Sequence, residues 1–302
     1  MMTNLELRIA TINVSGGEKT FETVEHDTRK SRQEALLMLV SRLNADVLCL
    51  QEVAQYIDAD GVTHNIIEEI SQTSDYEDIF YGKTIAMETH MQVKKKEMVE
   101  GIFNDWWNWC KGNAILSRLP FARLSDPSKS GVPRNIPLYR PISYEGNRDS
   151  DPRYTLLSRL KEAPFPFIST LHLTTLIGER PPAARPEKIE QARLMRYQQM
   201  NRFMDLVRQH ILDEGLPLIV AGDFNATPDE IAITRLLESE NGFIHLRPEN
   251  MGRTHFDMNQ AVDHIFFYPR ERLVDYQCWI ESSDLSKRAS DHLPVVADLQ
   301  IK

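Results

Sequence analysis

The chain has 302 residues, of which 41% are hydrophobic and 26% charged, and its formal net charge is −9. This composition is ordinary for a globular protein and excludes the disordered, collagen-like and coiled-coil classes. The three cysteines, Cys49, Cys110 and Cys278, lie far apart and lack zinc-ligand spacing. A disulfide framework and a zinc ribbon are therefore excluded as well.

The sequence shows no apolar stretch near the ~20 residues that cross a membrane. Its N-terminus lacks a basic region followed by an apolar one, so we expect a cytoplasmic protein. The negative net charge argues against a protein held to nucleic acid by its overall field. The charge is uneven, however, because residues 83–159 contain 13 Lys and Arg against 8 Asp and Glu.

Apolar periodicity predicts the elements of the first half. Leu5–Val14 alternates as a strand, Thr28–Leu43 has apolar residues at helical spacing, and Val47–Leu50 is a wholly apolar strand. A helix over 65–71 and strands over 76–81 and 112–117 follow. Residues 83–111 and 125–152 are rich in charge, Pro, Ser and Asn, and we expect them to form long loops.

The second half alternates in the same way. Its predicted elements are strands over 165–173, 216–221, 262–268, 276–280 and 295–299, and helices over 187–212 and 231–238. Strands interleaved with helices from end to end predict an α/β class. Because no convincing linker divides the chain, residues 1–302 are expected to form a single domain.

Several predicted strands end in polar residues that a protein core would not accommodate. These residues are Asn13, Glu52, His172, Asp223 with Asn225, and Asp291 with His292. Proteins of the α/β class build sites from groups presented beyond strand ends on a rigid sheet. Residues two apart in an extended segment face the same way, so Asp223 and Asn225 should point together.

Each of these residues has an ordinary explanation when it is taken alone. Asn13 suits a turn, Glu52 a solvated strand end, and His172 a hydrogen-bonded position in the core. Asp223 and Asn225 suit the cap of a following helix. Their joint occurrence at independent strand ends favours a functional site.

Seven short motifs follow one another along the chain. They are Thr11-Ile12-Asn13, Leu50-Gln51-Glu52-Val53, Gly112 to Arg118, Thr170-Leu171-His172-Leu173, Gly222-Asp223-Phe224-Asn225, Val262-Asp263-His264-Ile265 and Ser290-Asp291-His292-Leu293-Pro294. This ordered set resembles the endonuclease/exonuclease/phosphatase superfamily of deoxyribonuclease I-like, metal-dependent phosphoesterases, from residue 7 to residue 299. The resemblance implies a four-layer α/β sandwich, in which two mixed β-sheets pack face to face with helices outside.

The resemblance also implies roles for the matched residues. Glu52 is expected to be the principal metal ligand, helped by Asn13 and Asp291. The expected catalytic residues are His172, Asp223, Asn225, Asp263 and His292. Among them, Asp223 would orient or deprotonate the attacking water, His172 and Asn225 would hydrogen-bond phosphoryl oxygens, and Asp263 would hold His292.

The chemistry of these groups leads independently to a metal-dependent phosphoesterase. Hydrolysis of an anionic phosphodiester needs a hard cation to neutralise charge, together with donors at the phosphoryl oxygens. Carboxylate and amide ligands suit Mg²⁺ or Mn²⁺, whereas zinc would favour thiolates. A histidine held by an aspartate is a unit for proton transfer or charge stabilisation near neutral pH.

Three further residues are candidates for substrate binding: Asn113, Arg180 and Trp107. Arg180 suits either a phosphate contact or a surface salt bridge. Ser15 stands where abasic-site endonucleases typically carry Asp, and this departure argues against that subtype.

Trp106, Trp107 and Trp109 follow Lys94-Lys95-Lys96 closely. The rings suit a small core under a long loop, with the lysines solvated. A second interpretation, after packing, is stacking on flexible nucleic acid, whose phosphates would meet Lys and Arg. A third interpretation is peripheral contact with a lipid surface.

Three functional hypotheses follow from these features. The first is a Mg²⁺- or Mn²⁺-dependent phosphodiesterase whose partner is nucleic acid, a nuclease. The second is an enzyme of the same fold that acts on a small-molecule or lipid phosphate, as sphingomyelinases and inositol phosphatases do. The third, a non-catalytic binding relative, is disfavoured because every expected catalytic position is filled.

Overall fold

The computed structural model describes residues 4–23, 27–58, 60–86, 108–141, 151–175, 185–238 and 242–302. Its strands are β1 (Leu5–Asn13), β2 (Val47–Ile57), β3 (Thr63–Asn65), β4 (Asp78–Ala86), β5 (Cys110–Ser117), β6 (Ala122–Arg123), β7 (Asp126–Ser130), β8 (Arg134–Tyr139), β9 (Arg153–Arg159), β10 (Phe167–His172), β11 (Leu218–Asp223), β12 (Ile244–His245), β13 (Asp263–Tyr268), β14 (Leu273–Ile280) and β15 (Val295–Ile301). Its α-helices are α1 (Arg29–Leu43), α2 (Ile66–Thr73), α3 (Pro186–Val207), α4 (Ile231–Leu237) and α5 (Asp284–Ala289). Within these ranges no helix is both long enough and apolar enough to cross a membrane.

The strands form two large mixed sheets that have the same arrangement of parallel and antiparallel pairs. The first sheet has the order β14-β15-β1-β2-β5-β4, with β3 paired to β2, and the second has the order β12-β13-β11-β10-β9-β8. Each sheet contains one parallel pair, β1 with β2 or β10 with β11, flanked by antiparallel strands. Strands that run in parallel end at the same edge of a sheet, so each sheet gathers two strand ends there.

Apolar side chains separate the molecule into four layers. Between the sheets, one buried cluster joins Ile9, Val47 and Cys49 of the first sheet to Ile168 and Ile219 of the second. The outer face of the first sheet packs against α1 and α2, and the outer face of the second packs against α3 and α4. The predicted four-layer α/β sandwich is confirmed.

Polar residues also cross the interface between the sheets. The Gln51 side chain is fully buried, and its Nε2 donates to Thr170 Oγ1 at 2.8 Å and to Thr11 Oγ1 at 3.1 Å. Asn113 is buried as well, and its Nδ2 donates to the carbonyl of Tyr154 at 3.3 Å. These directional contacts fix how the two sheets face each other beside the strand ends.

Two stretches that the sequence assigns to loops contain strand. The stretch 83–111 overlaps the end of β4 and the start of β5, and the stretch 125–152 contains β7 and β8. The strands β7 and β8 are mostly exposed or half-buried, and β8 is an edge strand that contains Pro137. Such strands lack the apolar run by which buried strands are recognised, and proline is tolerated at a sheet edge. Residues 87–107 and 142–150 lie outside the described residues.

Candidate active site

Three of the predicted catalytic side chains lie in one row across the second sheet. His172 and Asp223 end the parallel strands β10 and β11 and are paired in register. Asp263 begins the antiparallel strand β13 and is paired with Asp223. Neighbouring strands are only about 4.8 Å apart, so the register brings together residues that lie up to 91 positions apart in the sequence.

The segment after Gly222 turns so that Asn225 holds the carboxylate of Asp223. At Gly222 itself a Cβ atom would lie 2.1 Å from the carbonyl oxygen of Leu171, so only glycine fits between the paired strands. Asn225 adopts a left-handed conformation (φ +49°), and its backbone N donates to Asp223 Oδ1 at 2.8 Å. Its Nδ2 lies 3.2 Å from both Asp223 Oδ2 and the carbonyl oxygen of Leu173. Asn225 therefore positions Asp223 in this structure.

Asp223 connects the strand ends of the two sheets. Its Oδ2 accepts a hydrogen bond from Asn13 Nδ2, at the end of β1, at 2.9 Å. The same oxygen lies 3.4 Å from His172 Nε2 and 3.9 Å from His292 Nε2. Because Asp223 is 1% exposed, this carboxylate is held by polar neighbours with little access to bulk water.

Glu52 reaches the same cluster through an irregularity in β2. The pairing of β2 with β5 shifts register between Leu50 and Val53, and Glu52 has a left-handed φ of +52°. A β-bulge of this kind re-aims a side chain that a regular strand would bury. The Glu52 carboxylate is 25% exposed, and its Oε1 lies 3.3 Å from Asn13 Nδ2 and 3.9 Å from His172 Nε2.

His292 is paired with Asp263, as predicted. Its Nδ1 lies 2.8 Å from Asp263 Oδ2, and both residues are buried. Burial lowers the pKa of His292, but the negative charges of Asp263 and Asp223 and the hydrogen bond to Asp263 outweigh it and raise the pKa to about 10. His292 is therefore a cation at neutral pH, and its Nε2–H is a hydrogen-bond donor in the cleft.

His172 has the opposite ionisation. Burial and the positive charge of Arg153 lower the pKa of His172 to about 4, although the carboxylates of Asp223 and Glu52 oppose the shift. The two cleft histidines therefore differ in charge at neutral pH, with His172 neutral and His292 protonated. A neutral ring offers one donor and one acceptor, whereas the cation offers two donors.

These groups line one small cleft at the strand ends. Its lining residues are Asn13, Ser15, Lys19, Glu52, His172, Thr175, Asp223, Asn225, His255, Asp291 and His292. All three predicted metal ligands and four of the five predicted catalytic residues are in this lining. The fifth, Asp263, lies directly behind His292.

The donor set of the cleft fits a hard divalent cation. Glu52 and Asp291 supply carboxylate oxygens, and the residues that line the cleft include no cysteine. The amide oxygen of Asn13 accepts from Ser15 N at 2.9 Å and has a second lone pair for a cation. Two lysines neutralise the carboxylates: Lys111 Nζ lies 3.2 Å from Glu52 Oε2, and Lys19 Nζ lies 4.0 Å from Asp291 Oδ2. Oxygen ligands of this kind suit Mg²⁺ or Mn²⁺.

Of the predicted substrate-binding residues, Asn113 alone lies within the described part of the chain. Asn113 does not line the cleft, because its side chain is buried between the sheets. Arg180, Trp106 and Trp107 lie outside the described residues. Trp109 is described, and its ring centroid lies 5.3 Å from Lys111 Nζ, next to Glu52.

The structure adds cleft residues that the sequence motifs did not single out as site residues. Ser15, Lys19, Thr175 and His255 line the cleft beside the predicted set. Ser15 has a signal in the sequence, since it lies two residues after Asn13. His255 has none, because it reaches the cleft through a bridge between distant segments that pairs it with His292.

A comparison with models of protein families shows which family has this sequence pattern. The model of the endonuclease/exonuclease/phosphatase family matches residues 10–292, which is most of the chain. The chain belongs to this family. Its members are hydrolases that act on phosphoester bonds, and they generally depend on a divalent metal. No curated protein sequence matches the chain significantly.

Solved structures of this family share the fold of the chain. An endonuclease/exonuclease/phosphatase from Beutenbergia cavernae has a TM-score of 0.66 at 18% identity, with 98% of this chain and 72% of that one covered. One from Bacteroides vulgatus has a TM-score of 0.64 at 14% identity, with coverage of 99% and 100%. The human Nocturnin catalytic domain with bound sulfate has a TM-score of 0.61 at 18% identity, with coverage of 99% and 97%. At these identities the likeness shows the fold.

Proposed function

We propose that this family member is a Mg²⁺- or Mn²⁺-dependent phosphodiesterase. The observation that carries the proposal is the convergence of oxygen ligands and a carboxylate-held histidine at one buried cleft. Glu52, Asn13 and Asp291 would hold the metal, which would supply positive charge to neutralise the phosphodiester. His292 Nε2 lies 3.9 Å from Asp223 Oδ2, and Asp263 lies behind the ring at Nδ1.

The chain's own residues then have distinct tasks. Asp223 is fixed by Asn13 and Asn225 and is the carboxylate available to orient and deprotonate a water molecule. His292, protonated and held by Asp263, donates from Nε2 to the phosphoryl oxygens as negative charge develops. His172 remains neutral and completes the hydrogen bonding at the phosphate.

We propose nucleic acid as the substrate class. The local excess of basic residues over 83–159 supports this choice. The sulfate bound in the Nocturnin catalytic domain, a tetrahedral anion like phosphate, supports a phosphoester of any kind. The alternative substrate is a small-molecule or lipid phosphate. Trp106, Trp107 and Arg180 remain predicted substrate contacts, and a cytoplasmic location and a single domain over 1–302 also remain predictions.

Substitution of Glu52 tests the metal-dependent function. Glu52→Gln keeps the size of the side chain and removes its charge, so it should lose metal binding and most hydrolysis of bis-p-nitrophenyl phosphate while the fold is retained. Glu18→Gln is the matched control, because Glu18 also contacts Lys111, at 3.6 Å, but does not line the cleft. Metal binding is followed by calorimetry. Full activity of Glu52→Gln, or of the wild type in excess EDTA, contradicts the proposal.

A substrate panel tests the substrate class. Oligonucleotides, sphingomyelin vesicles and inositol phosphates are compared under the same divalent metal. Trp107→Ala should raise KM for oligonucleotides and spare bis-p-nitrophenyl phosphate if the ring stacks on bases. Loss of vesicle co-sedimentation in the same variant would favour a lipid substrate, and equal effects on all substrates would indicate packing.

A further inference from the structure

His255 lies in the cleft but has no part in the chemistry assigned so far. It is 2% exposed, and its backbone is fixed opposite the segment that carries the catalytic histidine. Phe256 N donates to the Asp291 carbonyl at 3.1 Å, and Leu293 N donates to the Thr254 carbonyl at 2.7 Å. This bridge places His255 directly across from His292, with ring centroids 4.6 Å apart.

A backbone group determines which nitrogen of His255 carries the proton. Asp257 N lies 3.0 Å from His255 Nδ1. A backbone N–H can only donate, so Nδ1 accepts this hydrogen bond, and the proton of the ring sits on Nε2. His255 Nε2 is therefore a hydrogen-bond donor, and it has no lone pair for a metal ion.

The surroundings of Nε2 suit an anionic oxygen. A ring nitrogen of His255, a ring nitrogen of His292 and a carboxylate oxygen of Asp291 lie within 4.8 Å of one another. His292 Nδ1 faces Asp263 Oδ2 at 2.8 Å, and the other nitrogen of that ring, Nε2, lies 3.9 Å from Asp223 Oδ2. His255 Nε2 itself lies 3.9 Å from Asp291 Oδ2, and an N–H donor reaches an acceptor oxygen at about 2.9 Å. Lys19, 4.0 Å from Asp291, adds positive charge on this side.

We propose that His255 is a further catalytic residue, which donates its Nε2–H to a phosphoryl oxygen bound beside His292. The inference rests on the proposed function, since it takes the phosphodiester as the bound anion. It also assigns His255, Asp291 and His292 to different tasks, although their spacing alone would suit a metal site. A donor in a buried cleft stabilises developing charge more than the same donor in water.

Two substitutions separate the cleft contact of His255 from its structural contact. In His255→Asn the amide oxygen replaces Nδ1 and keeps the bond from Asp257 N, but nothing reaches the position of Nε2. In His255→Gln the amide nitrogen replaces Nε2 and keeps the cleft donor. Binding of inorganic phosphate is measured by calorimetry with Mg²⁺ present, together with kcat/KM for bis-p-nitrophenyl phosphate and the Tm.

We expect His255→Asn to keep the wild-type Tm and to lose about tenfold in phosphate affinity, the size of one hydrogen bond to a charged group. It should lose at least as much in kcat/KM, whereas His255→Gln should stay within a few-fold of wild type. Wild-type phosphate affinity in His255→Asn, or equal losses in both variants, overturns the inference.

Nitrogen NMR of the wild-type histidines provides a measurement that needs no variant. The His255 ring should be protonated at Nε2, and the Nε2 resonance should shift when inorganic phosphate is added. A proton on Nδ1, or no response to phosphate, contradicts the inference. If the wild type proves inactive on every phosphodiester, the proposed function fails, but these binding measurements still decide the role of His255.

Discussion

The molecule contains two groups of buried histidines whose surroundings differ. In the cleft, His292 faces the carboxylates of Asp263 and Asp223, and its pKa rises to about 10. Behind the second sheet, His264 binds the Ala226 carbonyl at 2.9 Å and packs edge-on against His245. Burial there lowers the pKa of His264 to about 4 and that of His245 to about 3.

Burial alone therefore does not decide the charge of a histidine in this protein. The same desolvation acts in both places. At His292 the hydrogen-bonded carboxylate of Asp263 reverses its effect on the pKa, whereas desolvation prevails at His172 in the same cleft. The core pair stays neutral and serves packing, whereas His292 stays charged and serves the site. The comparison predicts that removing the carboxylate should make the cleft histidine behave like the core ones.

The largest effect is expected from the Asp263–His292 pair. His292→Ala and Asp263→Ala should each lower kcat by on the order of 10³-fold, because one removes the cation and the other removes what keeps it charged. The double variant should be little worse than either single variant, since residues that act as a unit are not additive. Multiplicative losses in steady-state kinetics would show that Asp263 does not act through His292.

A smaller effect is expected in the dependence of stability on pH, measured as Tm in EDTA. His264 and His245 have lowered pKa values, so unfolding takes up protons as the pH falls below 6.5, and stability is lost toward pH 4. His292 has a raised pKa, so its contribution is complete below pH 6.5 and is lost as the pH rises toward 10. The acid loss from His264 alone should reach about 2 kcal/mol between roughly pH 6.5 and 5.

Two variants test which histidines cause the loss of stability at acid pH and which one causes the loss at alkaline pH. His264→Gln, which keeps a donor for the Ala226 carbonyl, should make the acid limb shallower and leave the alkaline limb unchanged. The remaining acid loss comes from His245 and His172. His292→Gln should flatten the alkaline limb only. If either variant alters both limbs equally, the two groups of histidines do not differ in ionisation as described.

The smallest effect is expected at Lys111, the cation beside Glu52. Its side chain is 12% exposed, and its ammonium lies 3.2 Å from Glu52 Oε2, so it competes electrostatically with a metal bound by that carboxylate. Lys111→Met should tighten Mn²⁺ binding roughly threefold, as measured by calorimetry at low salt. Lys30→Met, on the exposed surface, is the control, and weaker metal binding in Lys111→Met would show that the lysine instead positions Glu52.

The sequence predicts much of this fold because buried strands and amphipathic helices leave clear patterns. Val47–Leu50, Leu216–Ala221 and Leu5–Val14 are apolar or alternating runs, and each lies at the centre of a sheet. Edge strands such as β8 carry no such run, so they were assigned to loops. An apolar run in the sequence indicates a buried strand, and edge strands such as β8 are only partly buried.

The site was predictable where a motif lies at a strand end, as at His172 and Asp223. It was not predictable where the backbone leaves its regular course. Glu52 was expected beyond the end of a strand, yet β2 continues to Ile57 and the residue sits in a bulge with positive φ. His255 depends on pairing between segments that are remote in sequence, and Asn113 faces the other sheet. Register and backbone conformation are set by the tertiary fold, which residue types alone do not reveal.

The bulge in β2 has a consequence for how the protein tolerates changes in length. Leu48 and Leu50 belong to the cluster beneath the helices, and a regular strand would send Glu52 to the same face. Deleting one residue at the bulge would make the strand regular. Either the Glu52 carboxylate would then face the core beneath the helices, or Val53 and Ala54 would face away from it. Insertions and deletions in this stretch should therefore be selected against more strongly than point substitutions, because a single one removes the metal ligand and disrupts the core together.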